Sequence, residues 1–175
     1  MSTTVESTSG SSQPGQAHVQ LMNRMYAVQR YFYDITRKYY LFGRDRLIDR
    51  MAVSESDHVV EVGCGTGRNL VMMARKRAGA RFYGFDAADV MIDTAKKKVA
   101  ANNLGDRIHL RHGLAEELDA AAWFNVPAFD RVFFSYSLSM IPTWPAALEA
   151  ALANLNPGGE MWVVDFWDQG GIRRL

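Results

Sequence analysis

Residues 58–67 read His58-Val59-Val60-Glu61-Val62-Gly63-Cys64-Gly65-Thr66-Gly67. An apolar, β-branched run passes straight into three glycines at alternate positions. A helical pattern follows at once, from Arg68 through Asn69, Leu70, Val71, Met72, Met73 and Ala74. This order predicts a buried strand, a tight turn and a helix N-terminus. Free N–H groups and the positive end of a helix dipole gather there. Glycines let a ligand approach the backbone and permit positive φ. The spacing is not the G-x-G-x-x-G of a dinucleotide site. Counted from Gly63, the third glycine falls on Arg68; counted from Gly65, it falls on Leu70.

Outward from this turn the chain alternates. The expected strands are His58–Val62, Arg81–Asp86, Arg107–Arg111, Arg131–Tyr136 and Glu160–Phe166. Between them lie expected helices at Arg68–Arg77, Ala88–Asn102 and Glu116–Phe124. A further helix runs from Pro142 or Pro145 to Leu155, where Asn156-Pro157-Gly158-Gly159 stops it. Such alternation implies a parallel, doubly wound sheet, with ligands beyond the carboxyl ends of the strands. Asp86 closes the second strand, where an acid can accept hydrogen bonds from both ribose hydroxyls or cap the next helix.

Upstream, residues 19–42 have helical periodicity. Met25, Val28, Phe32, Ile35, Tyr39 and Phe42 form one stripe, and Tyr26, Arg30, Tyr33, Arg37, Tyr40 and Arg44 form another. Gly43 is expected to interrupt or end that helix, and a shorter one, Arg46 to Ala52, to lead into the first strand. The expected organisation is a disordered tail over 1–17, a helical cap over 18–53 and a core over 54–175.

The chain has 175 residues, 48% of them hydrophobic, enough for a sizeable core. A net charge of +1 gives no overall electrostatic case for nucleic acid. A single cysteine, Cys64, excludes an internal disulfide and any multi-cysteine metal site, and no metal is expected. The N-terminus has no apolar segment of the signal-peptide kind, and no apolar run reaches bilayer length. A cytoplasmic protein is expected.

The G-x-G-x-G turn with Glu61 two residues before it resembles motif I of the class I S-adenosylmethionine-dependent methyltransferases. Tyr83-Gly84-Phe85-Asp86-Ala87-Ala88-Asp89-Val90-Met91 resembles their second motif. The resemblance implies S-adenosylmethionine as cofactor and S-adenosylhomocysteine as product. It places Glu61, Gly63, Cys64, Gly65, Gly67, Asp86 and Ala87 at the cofactor, with Met91 packing on adenine. After the third strand the family usually has Asp-Ala. Here His112-Gly113-Leu114-Ala115-Glu116 stands instead, so Gly113, Leu114 and Ala115 would serve through backbone groups, or Glu116 through its side chain. Ser135 and Tyr136 end the fourth strand, between methyl donor and acceptor. The (Asn/Asp)-Pro-Pro-aromatic motif of enzymes acting on exocyclic base amines is absent.

A narrower resemblance rests on Arg24-Met25-Tyr26, on Tyr33 through Ile48, on Glu61 through Leu70 and on Ser135 through Pro142. These stretches look like the bacterial N-methyltransferase of betaine-lipid synthesis, which trimethylates diacylglyceryl-homoserine. The resemblance implies a lipid substrate and peripheral contact with the inner membrane. Arg37 or Arg44 would hold a carboxylate of lipid or cofactor, and Tyr26, Tyr33 and Tyr40 would frame the nitrogen by cation–π attraction. Tyr136 would favour the neutral amine, with no obligatory general base. The other reading of these residues is that the tyrosines pack the helix and the arginines are solvated. Family cores have seven strands and this chain shows five. An unpaired strand edge is expected, to be met by a homo-oligomer or another chain. Phosphatidylethanolamine, a small soluble amine, or an inactive cofactor-binding module remain alternatives.

Overall fold

A computed structural model describes residues 42–166. The two strands flanking the glycine turn are buried on both faces, as a central parallel strand must be. β1 is His58–Val62 and β2 is Arg81–Asp86. β3 is Ile108–His112, β4 Phe129–Ser135 and β5 Leu155–Val164. All pairings are parallel, in the order β3-β2-β1-β4-β5. The helices are α1 Phe42–Arg50, α2 Arg68–Lys76, α3 Asp89–Ala101, α4 Ala120–Phe124 and α5 Trp144–Ala153.

Alternation along the strands builds two cores. Val59, Phe82 and Phe133 face one layer, with Leu47 and Ile48 of α1, Leu70 and Met73 of α2, and Ile92 and Val99 of α3. Val60, Val62, Phe85, Val132 and Phe134 face the other, with Ala147 and Ala151 of α5. The sheet is therefore sandwiched between helices, the Rossmann-like architecture expected. Among the described residues it has five strands, with β3 and β5 at its ends. Because the chain leaves β1 towards β2 on one side and β4 lies on the other, the crevice at their carboxyl ends is a topological switch point.

Two close approaches fix the layers. A Cβ built on Gly84 of β2 would lie 2.4 Å from Leu70 Cδ1 and 3.0 Å from Cys64 Sγ, so α2 sits directly on β2. The Arg107 guanidinium donates to Ala74 O at 2.7 Å, Ala80 O at 3.0 Å and Arg77 O, capping the carbonyl end of α2.

Several boundaries depart from expectation. The helix expected over Glu116–Phe124 is broken. A 3-10 turn, Ala115–Glu117, comes first, then Asp119 accepts a hydrogen bond from Ala122 N–H at 2.9 Å and starts α4 afresh. Asn156-Pro157-Gly158-Gly159 does not separate helix from strand. α5 already ends at Ala153, and β5 pairs Leu155 with Phe129 before the four residues bulge out and pairing resumes at Glu160 with Arg131. β4 begins at Phe129 and stops at Ser135, because Tyr136 takes φ +57°, incompatible with a strand. Gly43 lies within the first turn of α1, which starts and ends earlier than the expected Arg46–Ala52. A Cβ there would meet Val164 Cγ2 at 2.4 Å and the Tyr136 hydroxyl at 2.8 Å. The rest of the expected helix over 19–42 lies outside the described residues. No helix among the described residues is long and apolar enough to cross a membrane.

Candidate functional site

The turn after β1 is built on backbone that only glycine adopts cheaply. Gly63, Gly65 and Gly67 have φ of +70°, +53° and +67°. The N–H groups of Gly63 and Cys64 both donate to Phe85 O at 3.0 Å, which ties the turn to β2. The Ser137 hydroxyl donates to Val62 O at 2.7 Å from the β4 side, and a Cβ on Gly63 would lie 2.7 Å from Ser137 Cβ. Gly67 rests on Ala95 of α3, and Lys98 Nζ donates to Thr66 Oγ1 at 3.0 Å. Burial, then the nearby Arg68 charge, holds the Lys98 ammonium below its ordinary range.

Asp86 stands directly under the turn. One carboxylate oxygen accepts from Gly65 N–H and the other from Ala88 N–H, each at 2.9 Å. Each oxygen keeps further acceptor capacity, since a carboxylate offers about four lone-pair sites. Burial raises its pKa, and the two backbone N–H groups oppose that. Gly113 N–H donates to Asp86 O at 3.1 Å, bringing the end of β3 to the same place.

Glu61 shares the sheet face of Val59, so its side chain enters the layer of α1 and α2. It is 1% exposed. Asn69 Nδ2 donates to its Oε1 at 2.6 Å, and Oε2 has no partner. Burial drives the carboxyl up to about 8, against the opposing pull of Asn69 and Arg44. Burial, then Arg68, lowers the pKa of Arg44. Among the described residues, the buried side-chain polar atoms without a hydrogen-bond partner are Arg44 Nε, Glu61 Oε2, Asn69 Oδ1 and Ser135 Oγ. They belong to the ends of β1 and β4 and the helices beside them. Buried polar groups are normally satisfied, so these four atoms are candidates for contacts to a polar ligand.

Tyr136 accepts a hydrogen bond from Gly43 N–H at 3.1 Å, and its ring packs 4.7 Å from that of Phe166. It thereby joins the first turn of α1 to the end of β4. Arg68 pairs with Asp45 of α1 at 2.9 Å on the exposed side.

The structure thus places Glu61, Gly63, Cys64, Gly65, Gly67, Asp86, Ala87, Gly113, Ser135 and Tyr136 at or just beyond the carboxyl ends of β1 to β4, with Arg44 in the first turn of α1, which Tyr136 joins to β4. Ala87 O receives the His112 ring nitrogen at 3.0 Å. Leu114 is exposed at 36%, whereas Met91 is buried, and Ala115 packs into the core beside α4 and α5. The Cys64 thiol is buried, which raises its pKa. Tyr26, Tyr33, Arg37 and Tyr40 lie outside the described residues. Asn69, Lys98 and Ser137 were missed from the sequence. The available signal for Asn69 was an amide within the buried stripe of an otherwise apolar helix.

A family described as "Methyltransferase domain" matches residues 59–159, more than half of the chain. The chain belongs to this methyltransferase-domain family. Among curated relatives, trans-aconitate 2-methyltransferase of Delftia acidovorans is 28% identical over 65% of this chain and 39% of its own length. Demethylmenaquinone methyltransferase of Lactiplantibacillus plantarum is 28% identical over 67% of this chain and 48% of its own. The chain therefore spans less than half the length of these relatives. Among solved structures, the cyclase SpnF superposes with a TM-score of 0.63 at 24% identity, over 70% of this chain and 43% of that one. A methyltransferase from Thiobacillus denitrificans, solved with S-adenosyl-L-homocysteine, gives 0.54 at 20% identity, over 67% and 45%. These structural likenesses establish the fold.

Proposed function

We propose that this methyltransferase-domain protein binds S-adenosylmethionine at the glycine turn and transfers the methyl group to an amine, that of a diacylglyceryl-homoserine headgroup. The observation that carries the cofactor reading is Asp86, fixed beneath three left-handed glycines. The residues fit the group. Asp86 would accept the ribose hydroxyls. Glu61 Oε2 suits an ammonium, and Arg44 suits a carboxylate, as the two ends of an amino acid require. The sulfonium supplies an electrophilic methyl group, so the protein's main task is to hold the acceptor in line and keep water out. Desolvation in the crevice would favour the neutral amine over the alkylammonium, whose pKa in water is about 10. The lipid acceptor and peripheral membrane contact rest on the sequence resemblance of residues 24–26, 33–48, 61–70 and 135–142.

Methyl transfer to a small carboxylic acid is a second reading, favoured by the relatives named trans-aconitate 2-methyltransferases. Arg44 would then hold the acceptor. The test is methyl-labelled S-adenosylmethionine offered with vesicles containing diacylglyceryl-homoserine, with phosphatidylethanolamine vesicles, or with trans-aconitate. Label on the homoserine lipid is the expected result. Label on trans-aconitate with none on either lipid would replace the proposal by the second reading.

A further inference from the structure

Away from the crevice, β3 is one of the two end strands of the sheet. Phe82 N–H donates to Arg107 O and Gly113 N–H to Asp86 O, so the odd-numbered residues between Arg107 and Gly113 face β2. By the two-residue period, the N–H and C=O of Leu110 face outward, and among the described residues no strand pairs with them. The edge is not flush with the surface. It floors a groove of about 660 Å³ whose walls are α3 on one side and α4 on the other. Val99 and Leu110 supply apolar lining, and Trp123 and Phe124 supply aromatic lining. Lys96 and Arg111 supply positive charge, the Arg111 guanidinium lying 5.0 Å from the Trp123 ring centre. Among the described residues, no Asp or Glu lines the groove.

A recessed strand edge with apolar walls and positive charge suits an occupant that is extended, apolar on alternate residues and acidic on the others. A second copy of this chain fits poorly, because pairing β3 with β3 would bring two sets of Lys96 and Arg111 into one groove. We propose that the β3 groove is a docking site for an acidic, extended segment of a partner protein, which adds a strand to the sheet. The partner's main chain pairs with Leu110, its apolar side chains face one wall and its carboxylates the other, so the carboxylates meet Arg111 beside Trp123 or, one residue along, Lys96 beside Val99. β3 has five residues, about 16 Å of strand, so a segment of five or six residues fills it.

The probe is a fluorescein-tagged hexapeptide alternating Val and Glu, compared with its Val and Lys counterpart. Fluorescence anisotropy should show the acidic peptide binding at least tenfold more tightly. Hydrogen exchange should slow at the Leu110 amide when it binds. Leu110→Pro removes the outward N–H, which an edge position tolerates, and should weaken binding tenfold or more. The double variant Lys96→Glu/Arg111→Glu should reverse the preference between the two peptides, which tests the idea even if the proline variant fails to fold. Equal binding of the two peptides, no binding of either, or binding without protection at Leu110 would overturn the proposal. So would an RNA oligonucleotide that binds this groove more tightly than the acidic peptide. A concentration-dependent dimer in sedimentation that Lys96→Glu/Arg111→Glu abolishes would assign the edge to a second copy instead.

Discussion

The buried carboxyl of Glu61 makes stability fall as pH rises, and Glu61→Gln isolates the effect. In the unfolded chain this group titrates at its ordinary 4.5, and in the folded chain burial moves it to about 8. Between those values the folded state holds a proton that the unfolded state has released. Stability is therefore fully present below about pH 4.5 and is lost as pH climbs towards 8, at about 1.4 kcal/mol per pH unit while one proton separates the states. Between pH 5.5 and 7.5 the loss amounts to about 3 kcal/mol. Glutamine reproduces the neutral acid: it keeps an oxygen to accept from Asn69, and it does not titrate. Asp86 is also shifted upward by burial and contributes the same sign in both proteins, so it cancels in the difference. Urea denaturation followed by the fluorescence of the four tryptophans is the assay, run from about pH 5.5 to 8.5. With a urea slope of about 1–3 kcal/mol per molar, the wild-type midpoint should fall against that of Glu61→Gln by about 1 M or more across the range. A difference constant to within about 0.5 kcal/mol would refute the reasoning. It would mean that Arg44 and Arg68 hold Glu61 ionised throughout, and that burial does not decide its charge.

Other substitutions test the cradle. Gly84→Ala keeps ordinary backbone but drives a methyl group into Leu70 and Cys64, and should lower stability by about 1–3 kcal/mol in a thermal melt. Gly67→Ala meets both a φ of +67° and Ala95 at 3.1 Å. It should cost about 1–2 kcal/mol, measured the same way. Asp86→Ala frees the N–H groups of Gly65 and Ala88 and should weaken S-adenosylhomocysteine binding by about tenfold or more in calorimetry, as the loss of charge-assisted hydrogen bonds requires. Tyr136→Phe removes the acceptor for Gly43 N–H. It should speed hydrogen exchange there and destabilise by about 1 kcal/mol.

The centre of the sheet was readable because composition and pairing agree there. β1 and β2 carry apolar runs that end in Gly63 and Asp86, and both run over the residues expected. Readings failed where one local signal serves two structures. Asn156-Pro157-Gly158-Gly159 has the chemistry of a helix stop, and only the pairing of Leu155 with Phe129 reveals it as a bulge. Gly43 carries the signature of a helix C-terminus, yet it lies in the first turn of α1, where Val164 and the Tyr136 hydroxyl leave no room for a Cβ. The site divides the same way. Glu61, the three glycines and Asp86 are adjacent in a motif and were legible. The Asn69 contact to Glu61, the Lys98 bond to Thr66 and the Ser137 bond to Val62 are made by packing between elements, and no local pattern announces them.

The four buried polar atoms without partners have a consequence for how long the protein survives. Among the described residues none of them meets a protein hydrogen-bond partner, so a ligand that supplies one adds to stability there. A ligand that satisfies them binds only the folded chain. At a concentration about one hundred times its dissociation constant it adds about 2.7 kcal/mol and cuts the exposed, unfolded fraction about a hundredfold. Where opening is fast, degradation follows that fraction. If such a ligand binds there, its supply would set the lifetime of the protein as well as its occupancy, and scarcity would be registered as removal by proteases.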